Sequence, residues 1–145
     1  MARGRVFGAW VDLREGSATC GKVHTCTLDP SRAICVPRGV GNSFQALEDG
    51  TAYTYLVDAH WSLELKRTCT FVNLADPELN IQWPIPLDEA TVSEADLSHS
   101  YLKDVVPMAP KRTLVTGCNG QLGRAVRALV RQPRSCRSED KLQFE

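Results

Sequence analysis

The sequence predicts a mainly β protein, an antiparallel sandwich or barrel, followed by a linker and a short strand–turn–helix unit. Two observations predict the β part: short apolar or alternating runs recur from Val6 to Val72, and clusters such as Asp29-Pro30-Ser31 separate them. No helical periodicity lies between these runs, which favours antiparallel pairing over crossover helices. The third observation is a set of glycines spaced three residues apart from Gly117, which predicts the final unit.

Six runs are predicted as strands because they are apolar or alternate between polar and apolar residues, and because turn-forming residues flank them. The predicted strands are Val6–Leu13, Lys22–Leu28, Ala33–Val36, Ser43–Leu47, Ala52–Val57 and Lys66–Phe71.

After Asn73 the sequence no longer shows strand-like runs. Prolines in this region exclude a continuous sheet because proline lacks a backbone donor. One short helix is predicted around Ser93–Asp96. The segment 103–110, with Pro107 and Pro110, is predicted as a stiff linker. Apolar residues at helical spacing predict a second helix from Gln121 to about Arg131.

Composition excludes several classes of protein. The 17 basic residues balance the 17 acidic ones, so no excess charge favours nucleic acid or membrane binding. No run is apolar and long enough to span a membrane, and a signal-peptide core is missing, so we expect a cytoplasmic protein. The six cysteines form no C-x-x-C pair, so no metal is expected; free thiols are favoured, with a disulfide scaffold as the weaker alternative.

The segment Thr113–Gly123 is typical of the opening of a dinucleotide-binding βαβ unit. Its glycines allow a sharp reversal, a close approach of backbone N–H groups to a pyrophosphate, and close packing of the helix on the sheet. The helix N-terminus adds unpaired donors and partial positive charge. A chance glycine-rich turn is the alternative. The candidate cofactor-binding residues are Gly117, Asn119, Gly120, Gln121, Leu122 and Gly123.

The run Leu114–Gly123 also resembles the N-terminus of dTDP-4-dehydrorhamnose reductase, an extended short-chain dehydrogenase. The resemblance covers about Lys111 to Val130 and implies NADPH or NADH as cofactor. The family's Tyr-x-x-x-Lys catalytic pair has no counterpart, and the sequence ends about twenty residues after the turn. We therefore expect a truncated Rossmann start whose cofactor site is incomplete.

Four earlier segments occur in the order found in another family. They are Val11–Arg14, Val36–Phe44 against a V-P-x-G-x-x-H-G-F element, Asp76–Pro84 against D-P-x-L-x-I-x-W-P, and Ser93–Asp96 against L-S-x-K-D. Together they resemble dTDP-4-dehydrorhamnose 3,5-epimerase. The resemblance implies a cupin fold, a partial jelly-roll barrel, that needs no cofactor.

The resemblance also implies catalytic residues. Such an epimerase uses a histidine base oriented by an aspartate, a tyrosine acid and a supporting lysine. By spacing, Tyr55 falls at the tyrosine and Asp96 at the aspartate, whereas the histidine and lysine would precede Met1. Alternatively, Tyr55 fills the barrel interior and Asp96 is a plain helix N-terminal acid.

Two positions depart from the epimerase pattern. Asn42 stands at a family histidine, and Trp61 stands at a second family tyrosine. The chain's own histidines, His24, His60 and His99, match no base position and are expected to be surface or strand residues.

These observations give three regions: a partial epimerase-like cupin domain at 1–102, a linker at 103–110 and a truncated NAD(P)-binding Rossmann start at 111–145. We expect a junction of two fused enzymes of dTDP-L-rhamnose synthesis that acts on a dTDP-sugar nucleotide and is inactive as this fragment. A homodimer is expected for the complete protein. The alternative is a non-catalytic cupin-like module that binds a sugar nucleotide or another partner.

Overall fold

The computed structural model describes residues 3–110, 116–117 and 119–131. The chain divides into two compact units, with the boundary between Ala109 and Pro110. The strand predicted before Gly117 lies mostly outside the described residues, as do Cys118 and the segment after Arg131. The three predicted regions remain predictions.

The first unit is built on a three-stranded antiparallel sheet. Strand β1 (Val6–Asp12) lies between β2 (Val23–Leu28) and β3 (Val40–Ala46). Every residue of β1 except Phe7 is buried, because this strand is hydrogen-bonded on both sides and has side chains packed on both faces. Both neighbours alternate in burial, as one-sided strands do. The mainly β fold and these three predicted strands are confirmed.

Helices are few and short in the first unit. Helix α1 (Leu63–Arg67) is capped by the Ser62 hydroxyl, and α2 (Glu94–Leu97) is capped by the Ser93 hydroxyl. A single 3₁₀ turn spans Leu102–Asp104. The second unit contains α3 (Gln121–Arg131). The two helices predicted from the sequence, around Ser93–Asp96 and from Gln121, are confirmed as α2 and α3.

Three predicted strands are wrong. Ala33–Val36 is irregular: Ile34 and Val36 turn toward the core near Trp10, so their alternation reflects which side is buried without any strand pairing. In Ala52–Val57 only Ala52 forms a bridge, with Arg3. One sheet, rather than the expected pair of sheets, is found in the described part of the chain.

The third wrong strand, Lys66–Phe71, begins inside helix α1. The Ser62 hydroxyl accepts the Leu65 N–H, and Glu64 stands in the first turn, where a carboxylate favours the positive helix end. Thr68 then closes the helix by donating its N–H to the Leu65 carbonyl. Local capping therefore outweighs the β propensity of the threonines that follow.

One face of the sheet is covered by the irregular segment that follows α1. The buried core on this face of the sheet consists of Val11, Leu13 and Leu79. Phe7 meets Trp83 edge to face at 5.6 Å between ring centroids. We call this side of the sheet the covered face.

The segment 103–110, predicted as a linker, is attached to the sheet up to its last residues. Val105 packs on the core of the covered face, and the Met108 N–H donates to the Leu13 carbonyl at 2.7 Å. Arg38 donates to the Ala109 carbonyl at 3.1 Å. Residues 103–109 of this segment thus lie in the first unit, and Pro110 begins the second.

A buried carboxylate holds the end of β1. Asp12 has no exposed surface and accepts hydrogen bonds from Arg14 at 2.9 and 3.0 Å and from Ser17 at 2.6 Å, with Thr19 as a further donor. Burial raises the pKa of Asp12, but the hydrogen bonds from Arg14, Ser17 and Thr19 outweigh it and hold the pKa well below its usual range. The charged carboxylate therefore fixes the turn between β1 and β2.

Asp12→Asn should destabilise the first unit by about 1–3 kcal/mol at neutral pH, because the charged carboxylate that accepts from Arg14, Ser17 and Thr19 would be replaced by a neutral amide. The folded pKa is depressed, so the stabilisation is fully present above the unfolded pKa and is lost as the pH falls toward the folded value. Urea unfolding at pH 7 and below pH 4 should show the gap between wild type and variant narrowing in acid. Glu15→Gln, at an exposed neighbour, is the control. A gap that does not change with pH would contradict this role.

Gly8 is required beneath the Trp10 ring. A Cβ built on Gly8 would lie 2.1 Å from Cη2 of Trp10, far inside contact distance. Gly8→Ala should therefore destabilise the fold by about 1–3 kcal/mol through overpacking. Gly41→Ala is the matched control on β3, since its added Cβ would meet atoms only at 3.5 Å or beyond. Equal thermal stability of the two variants would refute the close packing of Trp10 on Gly8.

Candidate functional site

The second face of the sheet carries aromatic and polar side chains, and we call it the aromatic face. Alternation along β1 places Gly8 and Trp10 on this side, and the strand register sets His24 of β2 and Asn42 of β3 directly opposite Trp10. Phe44 follows two residues after Asn42 and so shares the face. Side chains from three strands are thereby gathered around one tryptophan.

Trp10 is the fixed centre of the aromatic face. It is 1% exposed, and its ring stacks on His24 with centroids 5.8 Å apart and planes at 30°. Its indole Nε1–H donates to Oδ1 of Asn42 at 2.8 Å. The Trp10 ring is therefore held by its packing on Gly8, by stacking on His24 and by the hydrogen bond to Asn42.

A run of three aromatic rings extends the face beyond β3. Phe44 lies 4.3 Å from Tyr53 between ring centroids, and Tyr53 lies 5.8 Å from Tyr55. Burial raises the pKa of Tyr53, and the neighbouring Tyr55 and Cys26 raise it further, so its hydroxyl keeps its proton at neutral pH. Tyr55 itself is 65% exposed.

The other predicted catalytic residue, Asp96, lies in the first turn of α2. The Ser93 hydroxyl accepts the Asp96 N–H at 3.1 Å and donates to Asp96 Oδ2 at 2.7 Å. His99 Nε2 lies 3.7 Å from Asp96 Oδ1, and the His99 ring stacks on Phe71 at 4.8 Å. The Asp96 side chain is 57% exposed. This is the geometry of a helix N-terminal acid that also pairs with a histidine.

Tyr55 and Asp96 are not joined by a hydrogen bond or ion pair within the described residues, and their roles remain predictions. Asn42 lies on the aromatic face, whereas Trp61 and His60 are exposed on the segment before α1.

Sequence reasoning missed the part played by Trp10. Its signal was Gly8 two residues earlier on the same face, where a missing side chain leaves room for a large ring.

The glycine-rich turn of the second unit is compact. Gly117 has φ of +68°, in the left-handed region that favours glycine. The Gly120 N–H donates to the Gly117 carbonyl at 2.9 Å, and a Cβ on Gly120 would lie 3.2 Å from that oxygen. Gly123 is buried, whereas Gln121 and Leu122 are exposed. Arg124 Nε donates to the Asn119 carbonyl at 2.7 Å and braces the turn.

Two other features, a metal-binding cluster and a membrane-spanning helix, are absent from the described residues. Over the described residues, no three or more His, Cys, Asp or Glu side chains gather where they could hold a metal ion. In the same residues no helix has the length and apolar character to cross a membrane. The described cysteines, Cys20, Cys26, Cys35 and Cys69, are free thiols.

The antiparallel sheet, with one covered face and one aromatic face, matches the cupin-like fold of a sugar-nucleotide epimerase. The fold therefore places this chain in the class of cupin-like proteins. More particularly, the chain belongs to the dTDP-4-dehydrorhamnose 3,5-epimerase family, whose family model matches residues 1–104.

Individual relatives agree with this family. The protein RmlC homolog of Streptococcus pyogenes is 52% identical over 108 residues, covering 74% of this chain and 54% of the relative. The dTDP-4-dehydrorhamnose 3,5-epimerase of Mycobacterium tuberculosis is 36% identical over 105 residues, covering 70% and 50%. RmlC from Streptococcus suis, solved in complex with dTDP-D-xylose, is 54% identical with a TM-score of 0.69, covering 74% and 54%. The chain thus spans about half the length of these relatives.

Proposed function

We propose that this chain belongs to an enzyme of dTDP-L-rhamnose synthesis and that its first unit contributes the ligand-binding face of a 3,5-epimerase acting on dTDP-4-dehydro-6-deoxyglucose. The observation that carries the proposal is the aromatic face, where Asn42 and Phe44 are exposed beside the buried Trp10 within the matched region. Aromatic rings beside a few polar groups suit a ligand with a sugar and a pyrimidine ring.

The reaction exchanges hydrogens at carbons next to a ketone. A base removes the proton, the electron pair of the broken C–H bond passes into an enolate, and an acid returns a proton to the opposite face of the same carbon. In our proposal the Tyr55 hydroxyl is the acid, and Asp96 orients the histidine base. The Tyr53 ring beside Tyr55 would position that hydroxyl.

We propose that this chain alone does not catalyse the exchange. Tyr55 and Asp96 are mostly exposed, so neither has the desolvated surroundings that tune catalytic groups. The ring that contacts Tyr55 in the described residues is Tyr53, and no histidine lies against it there. Without a positioned base, proton abstraction loses roughly 10²- to 10⁴-fold in rate.

The chain should therefore show no exchange above the buffer background when dTDP-4-dehydro-6-deoxyglucose is incubated in D₂O and deuterium uptake is followed by NMR. Tyr55→Phe should behave like wild type, and so should Tyr101→Phe, a control tyrosine distant in sequence. Rapid exchange that is abolished by Tyr55→Phe and preserved in Tyr101→Phe would mean that a base does act on this chain.

For the second unit we propose the start of an NAD(P)H-dependent dTDP-4-dehydrorhamnose reductase, joined to the epimerase so that the product of one step is the substrate of the next. The residues fit a dinucleotide diphosphate, because Gly117 and Gly120 leave the turn free of side chains at the N-terminus of α3. Backbone N–H groups of Gln121, Leu122 and Gly123 would hold the phosphates. NADPH or NADH, when bound, supplies a hydride.

Affinity for NADPH should be weak, with no saturation below about 100 µM, because the described residues of the second unit supply a phosphate turn but no group for the ribose, and such a partial site keeps nearly all the ordering cost of binding. Titration followed by NADPH fluorescence measures it. The variant that tests the turn is Gly120→Val. Its control is Ala128→Val, at an exposed position of α3. Saturable binding at low micromolar concentration that Gly120→Val removes and Ala128→Val retains would mean that the site is complete.

A second candidate function is a non-catalytic module that binds a sugar nucleotide. The aromatic face favours it, since the exposed Asn42 and Phe44, with Asn42 held by the buried Trp10, form a ligand surface whether or not a base is present. Both functions predict no exchange in this chain alone, so deuterium exchange by the complete protein is the measurement that separates them. We also propose that the complete protein is a homodimer, because among the described residues no strand pairs with the outer edges of β2 and β3, and such edges favour pairing with another chain.

A further inference from the structure

The amide of Asn42 is oriented by Trp10. The indole N–H is a donor only, and packing on Gly8 and His24 fixes its direction. The amide must therefore present its oxygen to Trp10, as the 2.8 Å bond from Nε1 to Oδ1 shows. If the amide were flipped, the Asn42 Nδ2 group would face the indole N–H of Trp10. Two donors would then oppose each other and no hydrogen bond could form.

This orientation determines what Asn42 offers to the solvent side. With Oδ1 engaged, the Nδ2 group carries two donors, and the residue is exposed on the aromatic face. Phe44 is two residues along the same strand and face, and Tyr53 packs on Phe44. The donors thus lie beside a ring surface, an arrangement that suits a flat or cyclic ligand bearing an acceptor oxygen.

We propose that Asn42 is a ligand-binding residue that donates a hydrogen bond to an uncharged oxygen of the sugar nucleotide, and that Trp10 is the positioning residue that holds the amide in the donating orientation. The inference rests on the proposed function, since it names a determinant of the same face. An amide donor favours a carbonyl or hydroxyl oxygen, and unlike a protonated imidazole it adds no charge.

The test measures the affinity of the full chain for dTDP-D-xylose by equilibrium dialysis. Asn42→Asp keeps an oxygen for Trp10 and removes the donors, so binding should weaken roughly five- to tenfold, the typical effect of one hydrogen bond. Ala46→Asp adds the same charge on the same face of β3 and controls for repulsion of the diphosphate. Equal losses in the two variants would overturn the role of the amide.

The positioning role is tested by a double-mutant cycle. Trp10→Phe should weaken binding about threefold when Asn42 is present and have no effect in Asn42→Leu, because there is then no amide to orient. An equal loss in both backgrounds would show a purely structural role for Trp10. Asn42→Asp does not remove the indole, so it remains informative even if Trp10→Phe unfolds. Failure of wild type to bind would overturn the proposed function as well, whereas wild-type binding without these differences would overturn this inference alone.

Discussion

The packing of Trp10 across Gly8 is the constraint on which the first unit depends. Strand β1 is hydrogen-bonded along both edges, so a one-residue shift of its register would move its side chains to the other face and disrupt their packing with those of both neighbours. The large ring over a residue without a side chain specifies that register from within the strand. It also divides the sheet into a covered face and an aromatic face, and the proposed ligand site is a consequence of that division.

Polar side chains hold the irregular segments that a small sheet cannot order by itself. Asp12 gathers the turn after β1, and Asn73 donates to the carbonyls of Leu97 and His99 at 2.7 and 3.1 Å. Gln45 both donates to and accepts from the backbone of Ile85, at 2.8 and 2.9 Å. In the described residues no buried side-chain donor or acceptor is left without a hydrogen-bond partner. These hydrogen bonds therefore order the long irregular segments that surround a sheet of only three strands in the described residues.

The sequence is informative where a pattern is local. Alternation identified β2, the acidic run around Ser93–Asp96 identified α2, and glycine spacing identified the sharp turn at Gly117, where φ is positive. It failed where hydrogen bonding depends on a distant partner. Ala33–Val36 alternates as a strand does, yet its apolar side chains pack near Trp10 without any ladder.

The candidate site shows the same limit. Tyr55 was identified by spacing, but its neighbour Tyr53 and the packing of that ring on Phe44 follow from how the chain returns to the sheet. The pairing of Asp96 with His99 could be suspected from their separation of three residues, whereas the stacking of His99 on Phe71 depends on tertiary structure. Local chemistry therefore identified individual residues, and the fold determined which of them meet.

The central claim is that ligands bind on the aromatic face, and two tryptophans report on it in one experiment. Trp10 donates to Asn42 on that face, whereas Trp83 packs on Phe7 on the covered face and donates to the Leu74 carbonyl at 3.1 Å. In a ¹⁵N-labelled chain titrated with dTDP-D-xylose, the indole N–H signal of Trp10 should shift saturably while that of Trp83 stays in place. A shift of the Trp83 signal with that of Trp10 unmoved would contradict the assignment of the site.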